Sequence, residues 1–132
     1  MTSNPLRRAL VGLAGWAFFA GPAGPAGAAE LVMFSDRGCS YCARFEAEIG
    51  PVYPKTEEAR RAPLRRVDLG EGIPPEFAHL RPPSFTPTFV LVEQGREIGR
   101  ILGYPGEMHF WGLLGMLLER LEGEPAVASV GG

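Results

Sequence analysis

The sequence contains few of the residues that bind structural metals or form disulfides. Its 132 residues include two cysteines and two histidines, and a structural zinc site uses four ligands of these kinds. His79 lies in a proline-rich loop and His109 begins the last helical segment, so nothing in the spacing brings them together. We expect neither a resident metal nor a cofactor. Binding of a cuprous ion by the two thiolates stays open as an alternative.

The sequence also has no excess of positive charge. All fifteen acidic residues but only eleven of the thirteen basic ones follow residue 29, which leaves this part with a net charge near −4. No basic patch or stripe emerges along it. This disfavours nucleic acid and anionic membrane surfaces as partners. We expect a monomer.

The apolar run near the N-terminus is short for a bilayer-spanning helix, so a cleaved segment is favoured over the alternative of an uncleaved membrane anchor. Residues 9–20 form an apolar run of 12 residues, short of the ~20 that a membrane-spanning helix needs. Two arginines precede the run, glycines and prolines follow it, and Ala26-Gly27-Ala28 has the small-x-small form of a cleavage site. This arrangement is typical of a secretory signal peptide. We predict a signal peptide over residues 1–29, one domain over residues 30–122 and a flexible tail over residues 123–132.

The cysteines form the sequence Cys39-Ser40-Tyr41-Cys42, which follows the apolar run at residues 31–34. That run predicts a buried strand, and the residues after it predict a helix. The first thiol then lies at a helix N-terminus, where backbone N–H groups favour the thiolate. We interpret the pair as a site of dithiol/disulfide exchange.

A purely structural disulfide is the simpler alternative for two cysteines in a secreted protein. A bridge across so few residues constrains the unfolded chain little, by about 2 kcal/mol against about 3 kcal/mol for a 15-residue loop. Structural bridges also rarely begin a helix behind a buried strand. The redox interpretation is therefore favoured.

The hydrophobic pattern predicts alternating strands and helices. In chain order these are a strand at 30–35, helices at 39–49 and 56–61, strands at 64–69, 88–93 and 96–102, and a helix at 107–122. The apolar stripe of the last helix is predicted to face the core. It consists of Met108, Trp111, Leu114, Leu117, Leu118 and Leu121. A right-handed crossover would make the first two strands parallel neighbours.

This order, with a cysteine pair after the first strand, resembles the thioredoxin fold. The chain is most similar to the SoxS-type thioredoxins of bacterial sulfur-oxidation systems. The resemblance rests on residues 39–44, 85–93, 103–106 and 110–112, which include Thr86-Pro87 and Tyr104-Pro105. It implies an α/β, thioredoxin-like fold with a four-stranded mixed sheet flanked by helices.

The resemblance also implies roles for six residues. Cys39 would attack a substrate disulfide and Cys42 would resolve the mixed disulfide. Ser40 and Tyr41 would bridge them and contact the substrate. The Thr86–Pro87 bond would be cis and would expose the backbone of Thr86 to an extended substrate. A trans proline that merely opens the strand is the alternative.

The implied activity is that of a periplasmic thiol–disulfide oxidoreductase that reduces or reactivates the cysteine of a sulfur-carrier protein. A membrane thiol-electron transporter would supply the electrons. Disulfide oxidation or isomerisation in secreted proteins is the alternative. Two departures from ordinary thioredoxins stand out, namely Gly38 in place of a tryptophan and Met33 in place of a buried aspartate. Deprotonation of Cys42 would then depend on water or on the leaving thiolate of the substrate.

Overall fold

Four strands form one mixed sheet in the order β2-β1-β3-β4 in the computed structural model, which describes residues 29–122. The strands are β1 (Ala29–Ser35), β2 (Leu64–Asp68), β3 (Thr88–Glu93) and β4 (Arg96–Leu102). The helices are α1 (Ser40–Glu48), α2 (Glu57–Arg61) and α3 (Glu107–Glu122), with short 3-10 turns at Tyr53–Lys55, Leu69–Glu71 and Pro75–Phe77. β1 is parallel to β2 and antiparallel to β3, which is antiparallel to β4. The predicted fold class is confirmed.

The predicted signal peptide before Ala29 and the predicted tail after residue 122 lie outside the described residues. Ala29 itself is the first residue of β1. Within residues 29–122, no helix has the length and apolarity that crossing a membrane requires.

β1 lies inside the sheet, between β2 and β3, and both of its faces are apolar. Leu31 and Met33 face one hydrophobic cluster, which includes residues of α1 and α3, and Val32 and Phe34 face a second cluster on the opposite side. All four side chains are buried. A continuous apolar run suits such a strand, since alternate side chains point to opposite faces. Burial on both faces fixes the position of β1. The end of β1 therefore places the start of α1 over the first cluster.

An aromatic cluster fills the core beneath the start of α1. The ring of Phe45 lies 4.7 Å from that of Phe89 and 5.1 Å from that of Phe110, measured between centroids. The ring of Tyr104 lies 5.5 Å from that of Phe45. All four rings are buried, so α1 is held firmly against the sheet and against α3.

The stripe predicted for α3 is wrong at one residue. Met108 is 83% exposed, whereas Phe110, which the predicted stripe does not include, is fully buried. An α-helix turns by about 100° per residue, so Met108 lies about 160° around the axis from Phe110. Leu114, Leu117 and Leu118 share the side of Phe110 and are buried with it.

Candidate dithiol site

Cys39 caps the N-terminus of α1. The chain leaves β1 through a turn that ends at Gly38, whose positive φ of 79° suits glycine. The sulfur of Cys39 then accepts a hydrogen bond from the backbone N–H of Cys42 across 3.1 Å. No acidic residue lies in the first turn of α1. The helix terminus and this donor both favour negative charge on the Cys39 sulfur.

Cys39 and Cys42 form a disulfide, with 5.2 Å between their Cα atoms. The two residues differ in exposure, because Cys39 is half-buried and Cys42 is 6% exposed. Cys42 belongs to the same buried cluster as Phe45 and Tyr104. A substrate from solvent therefore has readier access to the first sulfur than to the second.

The Thr86–Pro87 peptide bond is cis, as expected from the sequence. The carbonyl of Pro87 accepts a hydrogen bond from the N–H of Gly103 at 2.8 Å. The hydroxyl of Thr88, which is fully buried, donates to the carbonyl of Phe85 at 2.7 Å. Thr86 is half-buried and makes no backbone hydrogen bond to any residue between 29 and 122. Its backbone is thus free to pair with an extended chain.

A groove of about 390 Å³ connects the start of α1 with the segment around Thr86. Its lining residues are Tyr41, Phe85, Thr86, Leu102, Gly103, Tyr104 and Pro105. Three of them expose large apolar surfaces, with Tyr41 58%, Phe85 51% and Leu102 56% exposed. Such exposed apolar side chains around a cavity are typical of a binding surface.

Two of the predicted substrate-binding residues line the groove, and the other two lie next to them in the chain without lining it. Tyr41 and Thr86 line the same groove. Ser40 is exposed at the start of α1 and Pro87 is buried, and neither lines the groove. Phe85, Leu102 and Tyr104 also line the groove, although they are not among the predicted substrate-binding residues. Phe85 precedes Thr86-Pro87 directly, and this adjacency was the available signal.

One charged cluster lies beside the groove. Glu48 accepts a hydrogen bond from the Tyr104 hydroxyl at 2.5 Å and another from Nε of Arg44 at 2.8 Å. Burial and the Glu48 carboxylate raise the pKa of Tyr104 to about 12. The hydrogen bonds from Tyr104 and Arg44 lower the pKa of Glu48. Glu48 is therefore ionised and Tyr104 neutral near pH 7.

The region around Cys42 holds no buried carboxylate. Met33, at the position where ordinary thioredoxins have an aspartate, is buried in the same cluster as Cys42. Between residues 29 and 121, no acidic side chain is buried. In the described part of the chain, no three potential metal ligands from histidine, cysteine, aspartate and glutamate lie together. His79 contacts the carbonyl of Gly95, 2.5 Å away, rather than either cysteine.

Comparison with known families agrees with this geometry. A family model described as a thioredoxin-like domain matches residues 23–117. The chain belongs to the thioredoxin-like family. With its cysteine pair at the start of α1, it is a thiol–disulfide oxidoreductase that acts on protein thiols.

Among solved structures, the periplasmic thioredoxin SoxS of Paracoccus pantotrophus, in its reduced form, is 47% identical, with a TM-score of 0.66. The match covers 70% of this chain and 98% of that one, so the resemblance to SoxS-type thioredoxins is confirmed. A thioredoxin-fold protein from Helicobacter pylori is 21% identical, covers 70% of each chain and has a TM-score of 0.56. Mitochondrial thioredoxin 3 of Saccharomyces cerevisiae is 19% identical over 68% of this chain and 79% of that one, with a TM-score of 0.53. The last two matches show the fold alone. No curated protein matches the chain.

Proposed function

We propose that this thioredoxin works in the periplasm and reduces the cysteine of one sulfur-carrier protein. The observation that carries the proposal is the 47% identity to a periplasmic SoxS thioredoxin over 98% of that chain. The predicted signal peptide at residues 1–29 agrees with export. In this proposal, the residues that line the groove beside the cysteine pair decide which partner can dock.

The chemistry begins with the reduced dithiol. The Cys39 thiolate attacks one sulfur of the substrate disulfide, and the other substrate sulfur leaves as a thiolate. Cys42, after losing its proton, attacks the Cys39 sulfur and displaces the remaining substrate sulfur. The substrate gains two electrons, and the enzyme is left with the Cys39–Cys42 disulfide. Since no acidic side chain is buried between residues 29 and 121, water or the departing substrate thiolate takes the proton of Cys42.

Docking uses the groove between α1 and the segment that ends in Pro87. An extended substrate segment pairs with the free N–H and C=O of Thr86, as an added strand would. Tyr41 and Phe85 cover its side chains with apolar surface, and Ser40 stays in the solvent-exposed turn between the two cysteines. Backbone pairing supplies affinity, and the apolar contacts supply specificity.

The enzyme needs electrons after each turnover. The periplasm is kept oxidising, so a dithiol there requires a dedicated supply. We assign this supply to a membrane thiol-electron transporter that reduces the Cys39–Cys42 disulfide by the reverse exchange. The enzyme then cycles as a reductant rather than as a stoichiometric oxidant.

A trapping experiment tests the proposal. The Cys42→Ser variant cannot resolve a mixed disulfide, so its Cys39 should retain one main partner in cells, a sulfur-carrier protein. The Cys39→Ser/Cys42→Ser double variant is the control and should retain none. Capture of many unrelated secreted proteins, together with a fully oxidised wild-type enzyme in cells, would instead favour an oxidase or isomerase. Absence of exchange with any disulfide, combined with binding of a cuprous ion, would favour metal handling.

A further inference from the structure

One wall of the groove is the segment that joins β4 to α3. Gly103, Tyr104 and Pro105 line the groove from this side, and Tyr41 lines it from α1. The segment has no regular secondary structure. Its backbone is tied to the Pro87 side through the bond from the Gly103 N–H to the Pro87 carbonyl. The distance between this wall and Tyr41 sets the width of the groove.

The wall is also attached to α1, the helix at whose start the two cysteines lie. Glu48 accepts the hydroxyl hydrogen of Tyr104, and Arg44 holds the second oxygen of Glu48. The guanidinium of Arg44 lies 5.7 Å from the centre of the Tyr104 ring. It also lies against Gly106, where an added Cβ would be 3.9 Å from Nη2 of Arg44. Tyr41, Arg44 and Glu48 follow one another at helical spacing, so one side of α1 faces the wall.

The Tyr104 side chain has two separate parts. Its ring is buried against Phe45 and Phe110, with centroids 5.5 Å and 6.1 Å away. Phenylalanine would provide the same ring contacts. The hydroxyl adds the bond to Glu48, which is an acceptor on a different element 56 residues earlier in the chain. The contact that the hydroxyl adds to those of the ring therefore attaches the wall to α1.

We propose that Glu48 and Tyr104 are positioning residues for protein substrates. Their hydrogen bond fixes the wall at the distance from Tyr41 that admits an apolar side chain next to the substrate cysteine. Neither residue takes part in the exchange between sulfurs. The proposal rests on the docking groove of the proposed function and adds the class of side chain that the groove accepts.

The test compares a protein disulfide with a disulfide too small to use the groove. Insulin is the protein probe, and 2-hydroxyethyl disulfide is the small one. Tyr104→Phe removes the hydroxyl and keeps the ring, and Glu48→Ala removes the acceptor. Each variant should raise KM for insulin about fivefold, as expected for one lost charge-assisted hydrogen bond, and should leave kcat within about twofold. The rate with 2-hydroxyethyl disulfide should not change.

The same helix provides a matched control. Glu46 also lies on α1 and pairs with an arginine, since its oxygens lie 2.5 Å and 2.8 Å from Nε and Nη2 of Arg66. Arg66 lines a different cavity, with Tyr53 and Leu64. Glu46→Ala therefore removes a comparable ion pair away from the groove and should leave KM for insulin unchanged. Glu48→Gln keeps an oxygen acceptor for Tyr104 and should restore part of the affinity lost in Glu48→Ala.

Two results would overturn the proposal. One is an equal KM in Glu48→Ala, Glu46→Ala and the wild type. The other is a parallel loss of rate with insulin and 2-hydroxyethyl disulfide, which would indicate a general effect on folding or on the cysteines. Two disulfide peptides that differ by leucine or serine beside the cysteine add a second readout, and the preference for leucine should weaken in Tyr104→Phe. Failure of the sulfur-carrier trap would not alter these comparisons, because they use other substrates.

Discussion

The backbone N–H of Cys42 lies 3.1 Å from the sulfur of Cys39 and donates a hydrogen bond to it. The two sulfurs of the pair therefore have unequal surroundings, because one accepts this bond at the end of a helix and the other is buried. A hydrogen bond to the charged form of a group lowers its pKa, and burial among apolar side chains raises the pKa of a thiol. From this inequality we propose that Cys39 makes the first attack.

The first prediction concerns alkylation of the reduced enzyme. Iodoacetamide at near-neutral pH should label Cys39 at least about tenfold faster than Cys42, since the reactive species is the thiolate and Cys42 is shielded. Mass spectrometry of peptides sampled over time measures both rates. The single variants Cys39→Ser and Cys42→Ser serve as controls for each site. Equal rates, or faster labelling of Cys42, would contradict the assignment.

The second prediction compares two phenylalanines with opposite roles. Phe45→Ala removes a fully buried ring from the aromatic cluster and should lower the free energy of unfolding by about 3–5 kcal/mol. Phe85→Ala removes a half-exposed ring that lines the groove and should cost less than about 1 kcal/mol. It should instead raise KM for insulin. Denaturant titration and steady-state kinetics measure the two effects, and a reversed pattern would place Phe85 in the core rather than in the groove.

Much of the fold follows from local sequence. The run at residues 31–34 predicts a strand buried on both faces, and β1 has this property. Gln94-Gly95 between two apolar segments predicts a tight turn, and both residues have the positive φ angles that such turns require. The cysteine pair between a strand and a helix predicts the dithiol site. Each of these features depends on residues that are close together in the chain, so a local sequence pattern is enough to predict it.

The groove depends on residues that are far apart in the chain. Tyr41, Phe85 and Leu102 meet because three separate parts of the chain pack together, and no local pattern predicts that they line one groove. The contact between Glu48 and Tyr104 spans 56 residues. Spacing alone predicts that Met108 faces the core, although it points away from the α3 axis in nearly the opposite direction to Phe110. In each case the missing information is the relative position of elements in space.

A third prediction uses two glycines of α3. A Cβ added at Gly112 or Gly115 would meet no atom within 4 Å, so alanine fits at both positions. Each substitution should raise the free energy of unfolding by about 1 kcal/mol, because glycine in a helix interior is unfavourable by that amount. Gly95→Ala is the control, since Gly95 has a φ of 76°, and it should destabilise the protein. Thermal unfolding of the three variants checks the signs, and a loss of stability in both helix variants would contradict this description of α3.

A fourth prediction concerns the ionisation of Tyr104. Its pKa is raised to about 12, first by burial and then by the hydrogen bond to Glu48. A raised pKa means that the folded state favours the neutral phenol. The resulting stabilisation is complete below the ordinary tyrosine value of 10.0 and is lost as pH rises through about 12. The absorbance titration at 295 nm of Tyr104→Phe, subtracted from that of the wild type, should show one transition near pH 12. A transition near pH 10 would mean that neither the burial of the phenol nor its bond to Glu48 persists in solution.

The last prediction tests Met33, the position where the chain departs from ordinary thioredoxins. Met33 is buried with Cys42 in an apolar cluster, and no acidic side chain is buried between residues 29 and 121. Met33→Asp would place a carboxyl group there without a charged partner. Burial should raise the pKa of that carboxyl above the ordinary aspartate value of about 3.9. The folded state then prefers the protonated acid, so the variant should lose stability progressively as pH rises.

Matched variants at residue 33 measure how much stability the buried carboxylate costs. At pH 8 Met33→Asp should be less stable than Met33→Leu by at least about 2 kcal/mol, since the charge is buried without compensation. Met33→Leu conserves volume and should cost less than about 1.5 kcal/mol. Met33→Asn has a polar side chain that does not titrate, so the difference in stability between Met33→Asp and Met33→Asn should shrink from pH 8 to pH 5. A difference independent of pH would mean that the carboxylate reaches water or a cation, and that an acidic residue beside Cys42 is compatible with this core.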